Sequence, residues 1–319
     1  MKIAIIGCGN IGSKRALSIV KDKSCKIKYI VGRKKFTNKS DHIGKKIAKK
    51  LRTTYTNNRE LVLSSDIESV ILSTQPEHFK KIASEILKSK KHLLIEKPLG
   101  LSQGEAKFLT KLAKKNRVYL KTGFNLRFDE GIQKVKNLIE KKALGKIYFM
   151  NIIYVNGSVK TNKNRVGALS DIGSHSINLF EYFFGEKYNV ENIQMQSNEY
   201  FKDDNGFLNL KKKNIICSVH FSFVRWENKF YLEISGEKGS ITIDSLPKWG
   251  KQTVTFSKRV YPSGKPIKKI WTYNKEKSWF NEWIFFKNCI KKKKFKNINE
   301  GLSSMKIIDK IKRLNKKNV

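Results

Sequence analysis

The chain opens with an apolar run, Ile3-Ala4-Ile5-Ile6, that breaks into Gly7-Cys8-Gly9-Asn10-Ile11-Gly12 and then into a helical stretch through Ala16, Leu17 and Val20. A strand, a glycine turn and a helix in that order commit the N-terminal region to parallel βαβ units. In that setting Gly7 permits the turn, Gly9 has no side chain to hold a pyrophosphate off the backbone, and Gly12 lets the helix approach the strand. The helix N-terminus presents unpaired amide hydrogens and the positive end of its dipole to phosphates. Gly7, Gly9, Asn10, Ile11 and Gly12 are therefore candidate dinucleotide contacts. The competing reading is a bare strand-to-helix turn.

The second apolar strand spans residues 26–31 and runs into Gly32-Arg33-Lys34-Lys35. A site preferring NAD carries an acidic residue here for the ribose hydroxyls. This sequence puts glycine and three cations there instead. Arg33 can pair bidentately with a 2′-phosphate and stack on adenine, and Lys34 adds a point charge. The pattern favours NADP(H), with NAD(H) as the alternative and plain solvated lysines as the competing explanation.

Short apolar runs at 53–55, 69–73, 93–95 and 118–120 alternate with amphipathic stretches. The clearest helices are 77–88, with Phe79, Ile82, Ala83 and Ile86 on one face, and 104–115, with Ala106, Leu109 and Leu112 inward. Beyond Thr122 the texture changes. A helix over 128–141, a strand over 147–155 and a helix over 170–184 lead into strands at 190–196, 214–223, 229–235, 240–244, 252–257 and 268–273 with no helices between them. That run implies an antiparallel sheet. Two helices close the chain at 278–292 and 300–313, and Trp279, Phe280, Trp283, Phe286 and Ile290 have core spacing in the first of them. The fold class is α/β: a Rossmann doubly wound parallel sheet over 1–121, then an α+β domain over 122–319 with an open, mostly antiparallel sheet. A solvated tail is expected at 316–319.

The net charge of +40 would ordinarily suggest nucleic acid. Lysines, however, spread over nearly every predicted helix, and the clusters at 211–213 and 291–294 lack aromatic stacking platforms, so no specific nucleic-acid partner is expected. The field should still attract anionic small molecules. Residues 1–9 are too short and too soon broken by glycine for a signal peptide, and no run approaches the length of a membrane span. Cys8, Cys25, Cys217 and Cys289 form no CxxC pair, which points to reduced thiols in a cytoplasm.

Three further groups of residues carry chemistry. Ser73-Thr74-Gln75-Pro76 ends the fourth strand at the carboxyl edge, where Rossmann ligands bind. Glu96-Lys97-Pro98 closes the fifth. Asp171-Ile-Gly-Ser-His175 opens a helix of the second domain, with its acid and imidazole at i and i+4 on one face. A metal at Asp171 and His175 would lack a third ligand at suitable spacing, so none is expected. His78 and Asn125 are further candidates for cofactor or substrate contact, with surface or turn roles as the alternative.

The ordered set of GCGNIG, EKP and Asp171 to His175 resembles the Gfo/Idh/MocA family of nicotinamide-dependent sugar oxidoreductases over nearly the whole chain. Gly123-Phe-Asn-Leu-Arg127-Phe128 and Leu144-Gly145-Lys146-Ile147 echo it. The glycine-rich stretch before the second motif is thinned to Gly167-Ala168-Leu169-Ser170. The resemblance implies that Lys97 and His175 act at the substrate hydroxyl, with Asp171 nearby and Glu96 near the nicotinamide ribose. The expected substrate is a sugar, with a nucleotide sugar or sugar acid favoured by charge, and the expected assembly is a homodimer or homotetramer through the second sheet. A non-catalytic NAD(P)H-binding sensor of the same fold is the alternative.

Overall fold

The computed structural model describes residues 1–33, 39–157, 166–199 and 202–317. Lys34 and Lys35, the segment 158–165 and the end of the tail lie outside them. The chain divides into two compact units, Met1–Asn125 with Trp279–Lys306, and Leu126–Ser278 with Ile307–Val319.

In the first unit, β1 (Lys2–Ile6), β2 (Lys26–Val31), β3 (Thr54–Thr56), β4 (Ser69–Leu72), β5 (His92–Glu96) and β6 (Leu120–Gly123) form a parallel sheet of order β3-β2-β1-β4-β5-β6. Helices α1 (Asn10–Ile19), α2 (Lys39–Lys50), α3 (Arg59–Ser64), α4 (Phe79–Lys88) and α5 (Gln103–Lys115) make the crossovers. This is the doubly wound arrangement, and its strand order reverses between β1 and β4. The faces expected on α4 and α5 are buried at Phe79, Ile82, Ala83, Ile86, Ala106 and Leu109, while Leu112 is half-buried. β6 starts later than residue 118 because α5 ends through Arg117 in a left-handed conformation (φ 55°), with the Val118 amide donating back to Ala113.

Helix α8 (Ser278–Lys291) packs with this sheet, although the continuous division at 121/122 assigned it to the second domain. Trp283, Phe286 and Cys289 join a core with Ile3, Ile19 and Ile27. The Trp283 indole donates to Asp22 at 3.0 Å and the Lys287 ammonium to the same oxygen at 2.5 Å. Burial works against the Asp22 charge, but these donors with Ser24 and Cys25 hold its carboxyl well below the usual range. Arg15, buried on α1, donates Nε to Glu96 at 2.5 Å and a terminal nitrogen to Glu282 of α8 at 2.8 Å. Its guanidinium lies 4.7 Å from the Trp279 ring. Buried Lys121 pairs with Glu300, the first residue of α9 (Glu300–Lys317), and lies 3.5 Å from Glu282.

The second unit holds α6 (Glu130–Glu140), β7 (Ile147–Val155) and α7 (Ser174–Phe184). They are followed by β8 (Asn189–Gln196), β9 (Asn205–Lys212), β10 (Ile215–Ser222), β11 (Lys229–Gly236), β12 (Gly239–Asp244), β13 (Gln252–Val260) and β14 (Gly264–Tyr273). The strand order is β14-β13-β12-β11-β7-β10-β9-β8, antiparallel throughout except where β10 runs parallel to β7. β9 has no counterpart among the strands expected from the sequence. It reaches β10 through the two-residue turn Lys213-Asn214, and Lys213 takes φ 53° without the glycine that normally marks such a hairpin. Met150, Ile152, Leu208, Val219 and Leu232 fill one face of this sheet. The other face is partly open, with Phe207 stacked on His220 at 4.3 Å between ring centroids.

Removing the fork of Arg15 should leave Glu96 buried without its cation and Glu282 with Lys121 alone. Arg15→Ala is expected to lower unfolding free energy by about 3–5 kcal/mol in urea titration, and a loss under about 1 kcal/mol would contradict the ion-pair account. Asp129 gives a pH test. It caps α6 by accepting from the Ile132 amide at 3.0 Å, and burial pushes its carboxyl up to about 6 despite that bond and one from Gln252. The folded state therefore holds this proton more tightly than the unfolded chain, whose carboxyl titrates near ~3.9. Its stabilising contribution is full below about pH 4 and is lost as pH rises through about 6, a change of about 3 kcal/mol. Asp129→Asn keeps the cap acceptor and should flatten that part of the stability profile.

Candidate functional site

The reversal of strand order brings the ends of β1 and β4 together. Gly7 takes φ +84°, and a Cβ on it would lie 2.7 Å from the Thr74 methyl and 2.9 Å from the Ser73 carbonyl carbon. A Cβ on Gly12 would lie 2.2 Å from the Gly7 carbonyl oxygen. The two glycines are therefore fixed by backbone proximity. Gly9 is the N-cap of α1 and supplies no side-chain acceptor, so the first-turn amides remain available to a ligand. Asn10 and Ile11 are exposed at this end. The Ser73 hydroxyl is buried and finds no hydrogen-bond partner among the described residues. An anion-accepting helix end beside an unsatisfied hydroxyl fits a dinucleotide phosphate. Gln75 caps a 3₁₀ turn, Pro76–His78, that leaves Gln75 and His78 exposed.

At the end of β2 the structure adds a residue that the sequence reading passed over. Asp41, on the first turn of α2, accepts from the Arg33 amide at 3.1 Å and from the Tyr55 hydroxyl at 3.2 Å. A Cβ on Gly32 would lie 1.9 Å from that hydroxyl, so glycine is required there for packing. Burial, with help from Asp41, pushes the Tyr55 phenol up to about 12 and keeps it a donor. A carboxylate does come to the end of β2, then, but from the next helix and turned onto the backbone, while Arg33 stays exposed. Its neighbour Lys34 is outside the described residues.

Glu96 ends β5 and spends one oxygen on Arg15, so the carboxylate is held in place by α1 and, through Arg15, by α8. Lys97 follows half-buried, joined to Pro98 by a cis peptide bond. Gly123 accommodates the same guanidinium, because a Cβ there would lie 2.3 Å from it. Asn125 is buried at the start of the 3₁₀ turn Asn125–Phe128.

In the second unit the segment bearing Asp171 is a π-helical turn, Leu169–Gly173, that continues into α7. Such turns recur at functional sites. Asp203 fixes the entry by accepting from the Leu169 amide at 2.6 Å. A Cβ on Gly167 would lie 1.8 Å from that carboxylate, so the one glycine kept in the thinned stretch makes room for a capping acid. The Ser174 hydroxyl donates to the Asp171 carbonyl at 2.8 Å. His175 is buried with its ring 5.9 Å from that of Tyr154 on β7, and the Tyr154 hydroxyl accepts from Lys248 at 2.8 Å. On the inner side Arg127 donates to Asn178 at 2.6 Å, seating α7. Tyr154 and Lys248 have no sequence marker, since only strand register and a distant turn bring Tyr154 beside His175 and Lys248 onto Tyr154.

Within the first unit, then, Gly7, Gly9, Asn10, Ile11, Gly12, Ser73 and Thr74 come together around one cradle. Asp171 and His175 share one helix in the second. No helix among the described residues is long and apolar enough to cross a membrane.

Residues 1–124 match the description of an oxidoreductase family with an NAD-binding Rossmann fold, and residues 132–242 match the C-terminal domain of the same family. The chain is 26% identical over 201 residues to myo-inositol 2-dehydrogenase of Thermotoga maritima, covering 59% of this chain and 56% of that protein. It is 26% identical over 258 residues to glucose-6-phosphate 3-dehydrogenase of Bacillus subtilis, covering 76% and 69%. Of several leading curated relatives it spans two thirds of their own length or less. In structure it is similar to KijD10, a 3-ketoreductase from Actinomadura kijaniata in complex with NADP and TDP-benzene, with TM-score 0.84, 15% identity and coverage of 98% and 97%. Matched in both halves by the two domain descriptions, and in the order its motifs require, the chain belongs to the Gfo/Idh/MocA oxidoreductase family.

Proposed function

We propose that this chain is a cytoplasmic NAD(P)-dependent oxidoreductase that moves hydride between a nicotinamide and a carbinol carbon of a sugar. The observation that carries it is the cradle of Gly7, Gly12, Ser73 and Thr74, with its buried, unsatisfied hydroxyl, in a member of this family. The backbone amides of residues 10–12 hold the pyrophosphate, and Gln75, Pro76 and His78 border it. Arg33, exposed beside a backbone that Asp41 fixes, takes the 2′-phosphate of NADP(H). Glu96, Lys97 and Asn125 serve the nicotinamide end. When bound, the nicotinamide supplies the hydride acceptor or donor.

The protein's own part is proton handling. In the oxidative direction the His175 imidazole accepts the proton of the substrate hydroxyl, and Asp171, one turn earlier on the same helix, orients it. The Lys97 ammonium donates a hydrogen bond to the same oxygen as carbonyl character develops. In the reductive direction the roles reverse. The relatives named above act on inositol or glucose 6-phosphate, or hold a nucleotide analogue. A surplus of cations favours an anionic sugar such as a nucleotide sugar or sugar acid. The open face around Phe207 and His220 supports pairing of copies into a homodimer or homotetramer.

The test is a screen of nucleotide sugars, sugar phosphates, inositols and free sugars, read as absorbance of the reduced nicotinamide. Lys97→Ala and His175→Ala should each lower kcat by about 10²–10⁴ while leaving cofactor binding in place. Near-native turnover in both would refute the assignment, and a cofactor bound but never turned over would identify a sensor. Arg33→Ala should weaken NADPH about ten-fold or more with little effect on NADH. Equal affinities of the native chain for the two reduced cofactors would defeat the preference.

A further inference from the structure

The ends of β7 and β12 lie on one edge of the second sheet, because both pair antiparallel with β11: Val155 faces Lys229, and Asp244 faces Tyr231. The chain leaving β12 makes a 3₁₀ turn, Pro247–Trp249, before β13. From it Lys248 reaches the Tyr154 hydroxyl at 2.8 Å, with its ammonium 5.3 Å from the Tyr154 ring and 4.5 Å from the Trp249 ring. Trp249 and Tyr154 meet edge to face at 5.9 Å between centroids, the same spacing that separates Tyr154 from His175. Most lysines of this chain are explained as solvated cations. This one is exposed, yet a buried phenol fixes it between two rings on the same cluster as His175.

We propose that Lys248, held by Tyr154 and Trp249, is the phosphate-reading residue of the sugar site, so that the substrate is a phosphorylated sugar. The inference rests on the oxidoreductase reading for His175 as the reacting end. Three features make the chemistry specific. An ammonium has three donors, and Tyr154 uses one, leaving two for phosphate oxygens. Among the described residues no carboxylate forms an ion pair with Lys248, so an arriving anion displaces no internal partner. The Trp249 ring offers an apolar face to the C–H side of a pyranose. A sugar phosphate and the diphosphate of a nucleotide sugar present the same chemistry to this ammonium.

Calorimetric binding to the full-length protein distinguishes them, with glucose 6-phosphate, UDP-glucose and glucose as probes at low and high salt. The native chain should bind one phosphorylated probe about ten-fold or more tightly than glucose, with the advantage shrinking as salt rises. Lys248→Met should remove about ten-fold of that affinity, Tyr154→Phe a smaller part, and Lys251→Met, an exposed control beyond the turn, none. Preference for glucose 6-phosphate would assign a monoester, and preference for UDP-glucose a diphosphate. The inference is overturned if Lys248→Met binds both phosphorylated probes like the native chain, or if glucose binds as tightly as either. It is also overturned if no probe binds, although hydride transfer from another sugar would then leave the oxidoreductase reading standing. Binding through Lys248 without hydride transfer from any sugar would reject that reading and keep the site.

Discussion

The guanidinium of Arg15 is the interaction on which the first unit turns. It lies midway along the glycine fingerprint's own helix, and its two arms grip Glu96 and Glu282. Both carboxylates are buried, and burying a charge is costly unless a partner meets it. One buried cation thereby fixes the end of β5, where Lys97 follows, to the helix that carries the cradle and to a segment from the far end of the chain. Trp279 closes over the guanidinium, and Gly123 gives it room. A planar donor fork suits this task in a way that a lysine could not, because both acids must be met in one geometry.

The second unit seats its motif helix with caps and side-chain hydrogen bonds. Its motif helix starts with a π-helical turn, and the wide turn is secured by the Asp203 carboxylate at one end and Ser174 at the other. Asn178 accepts from Arg127 one turn on, so the helix that bears His175 is seated by side-chain hydrogen bonds along its length. The end of β5 and the start of α7 are thus fixed by different means. A buried ion pair is intolerant of losing either member, whereas a capped turn yields by degrees.

Much of this was legible in the sequence. Local features were the readable ones: the strand–glycine–helix opening, the apolar alternation that placed β1, β2, β4 and β5, the helical spacing that buried Trp283 and Phe286, and the motif order that identified the family. What escaped was long-range or lacked a marker. Arg15, Glu282 and Lys121 are three charged residues among many, and nothing in their spacing announces that the fold gathers them. Asp41 was missed because it approaches the end of β2 from the following helix instead of from the strand's own end. β9 was missed because its hairpin is made by lysine and asparagine. Tyr154 looked like any strand tyrosine until the register of β7, β11 and β12 placed it beside Lys248 and His175.

The abundance of lysine itself looked like background, but along β14 it has a physical consequence. That strand forms one rim of the eight-stranded sheet, with its outer backbone groups unpaired by any described strand, and Ile267 and Ile270 are exposed on it. Such a rim is a template for unwanted strand addition. Lys265, Lys268 and Lys269 punctuate it, and Lys258 and Arg259 stand on the neighbouring strand. Two rims of this kind repel one another before their amides can meet, so the charge that says so little about ligand identity keeps a sticky margin from seeding aggregates.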